Sequence, residues 1–340
     1  MRRGGKDAAP AAAWQAVPMS EDDAPIDVSV EHVHNGDVVT RVTRMTTDGG
    51  DGATAFVLVA GIGVAATYFE FLAPLLARRG AVYALDLPGF AGVRRPDEAP
   101  TAAFFADQVE AVLDRFDLRD PVLIGHSMGT QVVTEVLVRR ADLSRSVLVS
   151  PVVNEAESAP LLQGVRFAQS AARESFHLAM TALSAYILCG MVYFLTVLPH
   201  MLRYRITDRV RLVRSRTLLI RGEFDRSSPR RFHSRLADAL PDAWRWEMKG
   251  AAHSIINGHA VGVAKLVLRH LDDDLPRRGQ MPSDEAEVPP ARHADIRMFV
   301  AALASRVAEW ISALRGDERG VARAKSEHAK LLWRAYSPRG

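Results

Sequence analysis

The chain has a single cysteine, Cys189, in 340 residues. An intrachain disulfide is therefore excluded, and the composition fits a reducing, cytoplasmic compartment. Cys189 lies in an apolar run without a basic neighbour, which suits a buried structural thiol better than a reactive one. Excess charge of either sign is also missing, since 43 basic against 40 acidic residues leave a formal +3. No basic patch interleaved with aromatics occurs, which argues against a nucleic-acid partner. Arg2-Arg3 is followed by a stretch too short and too weakly apolar for the h-region of a signal peptide. No internal repeat is visible. What remains, 48% hydrophobic and 24% charged residues, is the profile of a globular chain long enough for one substantial core with appendages.

Residues 1–25, rich in Ala, Gly, Pro and Asp, are expected to be disordered. Val28–Val33 and Val38–Met45 read as a hairpin around Asn35-Gly36. Ala55–Ala60, Ala81–Asp86, Pro121–Gly125 and Ser146–Ser150 read as short buried strands. Tyr68–Arg79, Ala102–Phe116 and Gln131–Arg140 read as the helices between them. Such alternation implies a mostly parallel central sheet with helices on both faces, an α/β fold whose ligands bind beyond the carboxyl ends of the strands. The alternation stops after Ser150, resumes at Thr217–Arg221 and Ala243–Met248, and ends with a helix over Ile255–Leu271. Residues 272–291 carry three consecutive aspartates and several prolines without periodicity, and are expected to be a linker. A helical tail over 292–340 follows. In it Ile296, Val300, Leu303, Val307, Trp310 and Leu314 recur at steps of four and three, an amphipathic stripe. Three roles are open to that stripe: packing on its own domain, contact with a second copy in a homodimer, or a membrane surface.

Chemistry concentrates at Gly125-His126-Ser127-Met128-Gly129. The pentapeptide pattern alone arises by chance in about one chain in ten of this length. Its context is what carries weight, with apolar Pro121-Val122-Leu123-Ile124 before it and helical periodicity after it. A serine between two glycines at a strand-to-helix junction is a nucleophile elbow. A serine hydroxyl needs a base, and the base an orienting acid. Both follow in the order serine, acid, histidine: Asp225 in a loop after Thr217–Arg221, and His253 in a loop after the strand ending near Met248. Glu223 and Glu155 are rival acids. The tetrahedral intermediate needs two backbone donors, for which Met128 N–H and Ile62 N–H are the candidates. No metal or organic cofactor is called for.

These motifs, with Val57-Leu58-Val59-Ala60-Gly61-Ile62-Gly63, Leu85-Asp86-Leu87-Pro88-Gly89-Phe90 and Leu219–Asp225, resemble the α/β-hydrolase superfamily over residues 26–271. The resemblance implies triad roles for Ser127, Asp225 and His253. It implies a core over 26–154 and 214–271, with a helical cap over 155–213 inserted between strands 6 and 7. Two positions depart from the family pattern: Ala60 stands where a histidine is usual, and Ala91 where a second glycine is common.

From Ser175 to Leu202 the cap holds no charged residue, and Leu178–Leu198 has the length and apolarity of a membrane span. A single crossing would put Ser127 and His253 on opposite sides of the bilayer. The segment is therefore expected to fold back near Gly190 as two short helices. Arginines follow at 203, 205, 209, 211, 214 and 216. An apolar lid edged with arginine suits peripheral docking on an anionic lipid surface, and equally a cap that lines an apolar acyl pocket. The expected function is a serine hydrolase of the esterase/lipase type acting on a lipophilic carboxylic ester or thioester. Alternatives on the same fold are a carbon–carbon bond hydrolase, an acyltransferase or a cofactor-free perhydrolase. From another class comes a non-catalytic membrane-associated scaffold.

Overall fold

The computed structural model describes residues 26–47, 54–157, 159, 165, 166, 169, 188–288 and 296–336. Nine strands form one sheet in the order β1-β2-β4-β3-β5-β6-β7-β8-β9. β1 (Ile26–Asn35) and β2 (Val38–Thr47) make the expected hairpin, and β2 pairs antiparallel with β4 (Ala81–Asp86). Every later pairing is parallel, through β3 (Ala55–Val59), β5 (Val122–His126), β6 (Arg145–Val149), β7 (Arg216–Gly222) and β8 (Ala243–Met248). β5 is buried at every position, because a central parallel strand is covered on both faces and reads as an unbroken apolar run.

Two apolar layers flank the sheet. On one face Leu72 and Leu76 of α1 (Leu72–Ala77) pack with Val263 and Val267 of a C-terminal helix. On the other, Val109 and Val112 of α2 (Ala102–Arg115) pack with Val132 and Val136 of α3 (Met128–Arg139). Crossover helices on both faces are what parallel pairing requires. Chain direction across the sheet reverses at β3, so the crevice beyond the carboxyl ends of β3 and β5 is the topological place for a ligand.

Several elements differ from the sequence reading. The helix expected over Tyr68–Arg79 is a 3₁₀ turn at Ala66–Phe69 followed by α1. Residues 272–291 are not a linker throughout: β9 (Arg278–Met281) pairs parallel with β8 and extends the sheet. Four residues of Arg-Gly-Gln-Met have no apolar alternation, so an edge strand held by main-chain pairing escapes a periodicity search. The first 25 residues, and 26 of the 59 cap residues including all of 170–187, lie outside the described residues. What is described of the cap is α4 (Met191–Arg203), entered through Gly190 at φ 77°, and the short α5 (Ile206–Arg209). Past β7 the chain forms α6 (Arg230–Ala239). Two helices follow β8, α7 (Ile255–Gly258) and α8 (Ala260–Leu271), where the sequence suggested one. α9 (Ser283–Ala286) follows β9.

The tail is a helical hairpin of α10 (Ile296–Leu314) and α11 (Glu318–Tyr336); α10 packs on the domain by its polar side, while α11 also buries Val321, Ala329 and Trp333. The expected stripe does not face the core: Val300, Leu303, Val307 and Leu314 are exposed. Ser305, Arg306 and Glu309 are buried instead. The reason is electrostatic. Asp86 and Glu70 are buried core carboxylates, and buried charge demands a partner. Lys325 of α11 lies 3.0 Å from Asp86 and 3.2 Å from Glu309, and Arg306 and His328 both bond Glu70. Arg41 completes the network, reaching Asp86 at 3.1 Å and Glu318 at 2.8 Å.

Candidate active site

Ser127 sits between the last residue of β5 and the first of α3, at φ 54° and ψ −122°. This left-handed strain lifts the hydroxyl away from both elements. The flanking glycines are required by close approach. A Cβ on Gly125 would strike the backbone of Gly129, and one on Gly129 the carbonyl of Val59. A third glycine lets the loop after β3 approach the nucleophile: a Cβ on Gly61 would lie 3.1 Å from the Ser127 Cβ. Ile62, next in that loop, and Met128 on α3 are both buried beside the elbow.

His253 bridges Ser127 and Asp225. Its Nε2 lies 3.1 Å from Ser127 Oγ and its Nδ1 3.0 Å from Asp225 Oδ2. The loop after β7 presents Asp225 and the loop after β8 presents His253, so three strand ends converge on one chain of hydrogen bonds. Asp225 Oδ1 accepts the backbone N–H groups of Ser227 and Ser228, both at 2.9 Å. Burial pushes this carboxyl up, but the His253 ring and the hydrogen bonds from His253 and Ser228 outweigh it and hold it below the ordinary range. The rival acids are engaged elsewhere. Glu223 accepts from Lys249 at 3.0 Å and from the Gly250 N–H at 3.2 Å. Glu155 accepts from the backbone and hydroxyl of Thr207, each at 2.9 Å.

Three supporting residues were not singled out in the sequence. His126 donates from Nε2 to the His253 carbonyl at 3.1 Å, and its ring lies between those of Tyr68 and His253. Burial, aided by the neighbouring His253 ring, lowers His126 to about 3, so it stays neutral. Ser150 donates to the same carbonyl at 3.0 Å. Arg221 donates to the carbonyls of Ser228 at 2.8 Å and Asp225 at 3.1 Å, which ties down the acid loop, and it pairs with Glu247. His126 lay inside the elbow motif, at its variable position. Arg221, a cation inside an apolar strand, was the other available signal.

The described part of the cap is fastened to the same helix that starts at Ser127. Gln131 Nε2 donates to the carbonyls of Val152 at 2.9 Å and Met201 at 3.0 Å. Glu135 accepts from Tyr204 at 2.8 Å and from both arms of Arg209. Leu202 packs on Val152 and Val153, with Leu198 and Met201 beside them. Among the described residues no helix is long and apolar enough to cross a membrane. A single crossing between Ser127 and His253 is also excluded by their hydrogen bond.

The sequence matches the Alpha/beta hydrolase family over residues 56–266. The chain belongs to the α/β-hydrolase family. As a family member it is similar, at 34% identity over 147 residues, to a dihydrolipoyllysine-residue acetyltransferase component of an acetoin cleaving system from Pseudomonas putida. That match covers 43% of this chain and 39% of the relative. It is 30% identical over 106 residues to a 1-acylglycerol-3-phosphate O-acyltransferase of Arabidopsis thaliana, covering 30% of this chain and 25% of that one. The chain thus spans well under half the length of these curated relatives. Among solved structures, an N-acyl homoserine lactone degrading enzyme aligns at TM-score 0.60 and 17% identity, over 70% of this chain and 99% of its own. The 2-hydroxy-6-oxo-6-phenylhexa-2,4-dienoate hydrolase of Rhodococcus aligns at 0.60 and 15%, over 73% and 99%. At that identity the likeness is one of fold, and this α/β hydrolase takes its chemistry from its own residues.

Proposed function

We propose that this α/β hydrolase is a serine hydrolase that cleaves a lipophilic carboxylic ester or thioester. The observation that carries the reading is the hydrogen-bonded line from Ser127 through His253 to Asp225 at a strained elbow. Ser127 Oγ attacks the acyl carbonyl while His253 Nε2 takes its proton. Asp225 holds the proton on Nδ1 and offsets the charge of the imidazolium. The N–H groups of Ile62 and Met128 receive the oxyanion, each donor contributing about 3–4 kcal/mol to the transition state. His253 then protonates the leaving oxygen or sulfur, and water activated by the same ring releases the acid from Ser127. The stretch from Ser175 to Leu202, without a single Asp, Glu, Lys or Arg, supports a lipophilic acyl group.

The test is a panel of p-nitrophenyl esters from acetate to palmitate, run on the wild type and on Ser127→Ala. Turnover that rises with chain length and vanishes in the variant supports the reading. Absence of Ser127-dependent turnover on every ester overturns it. Acyl transfer is the second reading, favoured by the similarity to two acyl-transferring relatives. It shares the acyl-enzyme and differs only in the acceptor. Product analysis with water and glycerol in competition separates the two.

A further inference from the structure

Ten large apolar side chains are exposed among the described residues, and eight of them lie on α4 or α10. On α4 they are Met191, Val192 and Leu195, from 55% to 74% exposed. On α10, Val300, Leu303, Val307, Ile311 and Leu314 form a stripe at steps of three and four, up to 71% exposed. Apolar exposure concentrated in this way marks an interaction surface, whereas scattered single residues do not. The two helices are far apart in sequence but rest on one loop. A Cβ on Gly89 would strike the ring of Tyr193 on α4, and one on Gly92 would lie 2.9 Å from the Ala313 Cβ on α10. Tyr193 also donates to the Pro88 carbonyl at 3.1 Å.

Charge selects the occupant. No acid is exposed on either apolar face, because the single acid within α4 and α10, Glu309, is buried against Lys325 and Arg306. Exposed arginines flank the faces: Arg94 and Arg95 on the shared loop, Arg203 at the end of α4, and Arg315 just beyond α10. Along the chain the exposed acids that next follow these arginines are Asp97, Asp208 and Asp317, each outside α4 and α10. An apolar stripe rimmed by cations is the pattern of a helix lying in the interface of an anionic bilayer, with the arginines at headgroup level. A second copy of the same apolar faces would offer these arginines no acid from α4 or α10 to pair with.

We infer that α4 and α10 together form a peripheral docking surface for anionic lipid membranes. α10 contributes the longer apolar stripe, so the tail, which lies beyond the catalytic residues in sequence, acts as a membrane anchor. The inference concerns binding alone and does not rest on which ester is cleaved. α4 carries the cap, so docking would present the cap side of the site to the bilayer.

The experiment is cosedimentation of Ser127→Ala protein, which binds without turnover, with vesicles of pure phosphatidylcholine or of phosphatidylcholine with phosphatidylglycerol. Binding is expected on the anionic vesicles, weakened at least tenfold by raised salt or by Leu303→Glu/Val307→Glu on α10. Val192→Glu/Leu195→Glu on α4 should weaken it as well. Circular dichroism of each variant checks that the fold is kept, since all four positions are exposed. No binding by the parent protein, or binding unaltered by both double substitutions, overturns the inference. So does a dimer in sedimentation velocity that the α10 substitutions abolish while vesicle binding persists, which would assign the stripe to a second copy. Because hydrolysis is not the readout, failure here leaves the ester-cleavage reading standing, and failure of the ester panel leaves docking standing.

Discussion

His126, the residue before the nucleophile, donates a hydrogen bond from Nε2 to the backbone carbonyl of His253 at 3.1 Å. The elbow therefore holds two points of the hydrogen-bonded line: Ser127 itself, and the loop that carries His253. His126→Leu removes this donor and should lower kcat about tenfold while KM moves less than twofold, since small misplacement is costly in a preorganised site. His126→Gln, which restores an N–H at similar reach, should recover most of the loss. Equal losses in both variants would show that the ring matters only for packing.

The acid can be settled by neutralising each candidate in turn. Asp225→Asn should cut kcat by about 10⁴-fold with the fold intact, because the wrong histidine tautomer is then favoured. Glu223→Gln and Glu155→Gln should stay within about threefold of wild type, as surface-type substitutions remote from the reacting atoms do. A large loss in either glutamate variant would relocate the acid.

Gly129 faces the Val59 carbonyl without room for a methyl group. Gly129→Ala must push β3 away from the elbow, and overpacking of this kind costs about 1–3 kcal/mol or more. Its expected phenotype is a lower denaturation midpoint together with lost labelling of Ser127 by a fluorophosphonate. Ser127→Ala, by contrast, should lose labelling with the midpoint unchanged.

Lys325 is 3% exposed and lies between Asp86 and Glu309. Lys325→Met leaves two buried carboxylates short of a cation, which should destabilise the protein by about 3–5 kcal/mol. Asp86 Oδ1 also accepts the Ala66 N–H at 2.6 Å, in the turn that follows Gly61 and Ile62. Activity of the variant should therefore fall before global unfolding, measured as turnover against temperature alongside circular dichroism. Coincident loss of both signals would confine Lys325 to a purely structural role.

Acid should weaken the fold well above the carboxylate range. Burial lowers His126 and His233 to about 3, against an ordinary value near 6.5. The unfolded chain then binds protons between pH 6.5 and 3 where the folded chain does not. Stability is full above pH 6.5 and is lost as pH falls towards 3. Between pH 6.5 and 5 each such histidine accounts for about 2 kcal/mol. Thermal melts at pH 7.5 and 5.0 should differ accordingly, and His233→Gln should flatten the dependence. Superimposable melts for the wild type at the two values would contradict it.

The α/β layering, the strand–elbow–helix unit at Ser127, and the strand-end loops bearing Asp225 and His253 are legible along the chain. These are local matters: apolar runs bounded by glycine specify strands, and the serine between glycines specifies the elbow. Tertiary structure decided what locality does not encode. β9 exists because β8 offers an edge to pair with, and its own four residues carry no periodic signal. Within the one loop after β7, Asp225 meets His253 while Glu223 turns to Lys249 and the Gly250 N–H, a difference of side-chain direction that spacing does not encode. α10 shows the contrast most sharply. Its apolar stripe left packing on its own domain open beside a second copy or a membrane surface, and the protein turns that stripe outward. Buried Glu70 and Asp86 require cations, and only the opposite face brings Arg306, with Lys325 and His328 of α11, within reach. An uncompensated buried charge costs more than an exposed leucine, so electrostatics in the core settled the orientation of the tail.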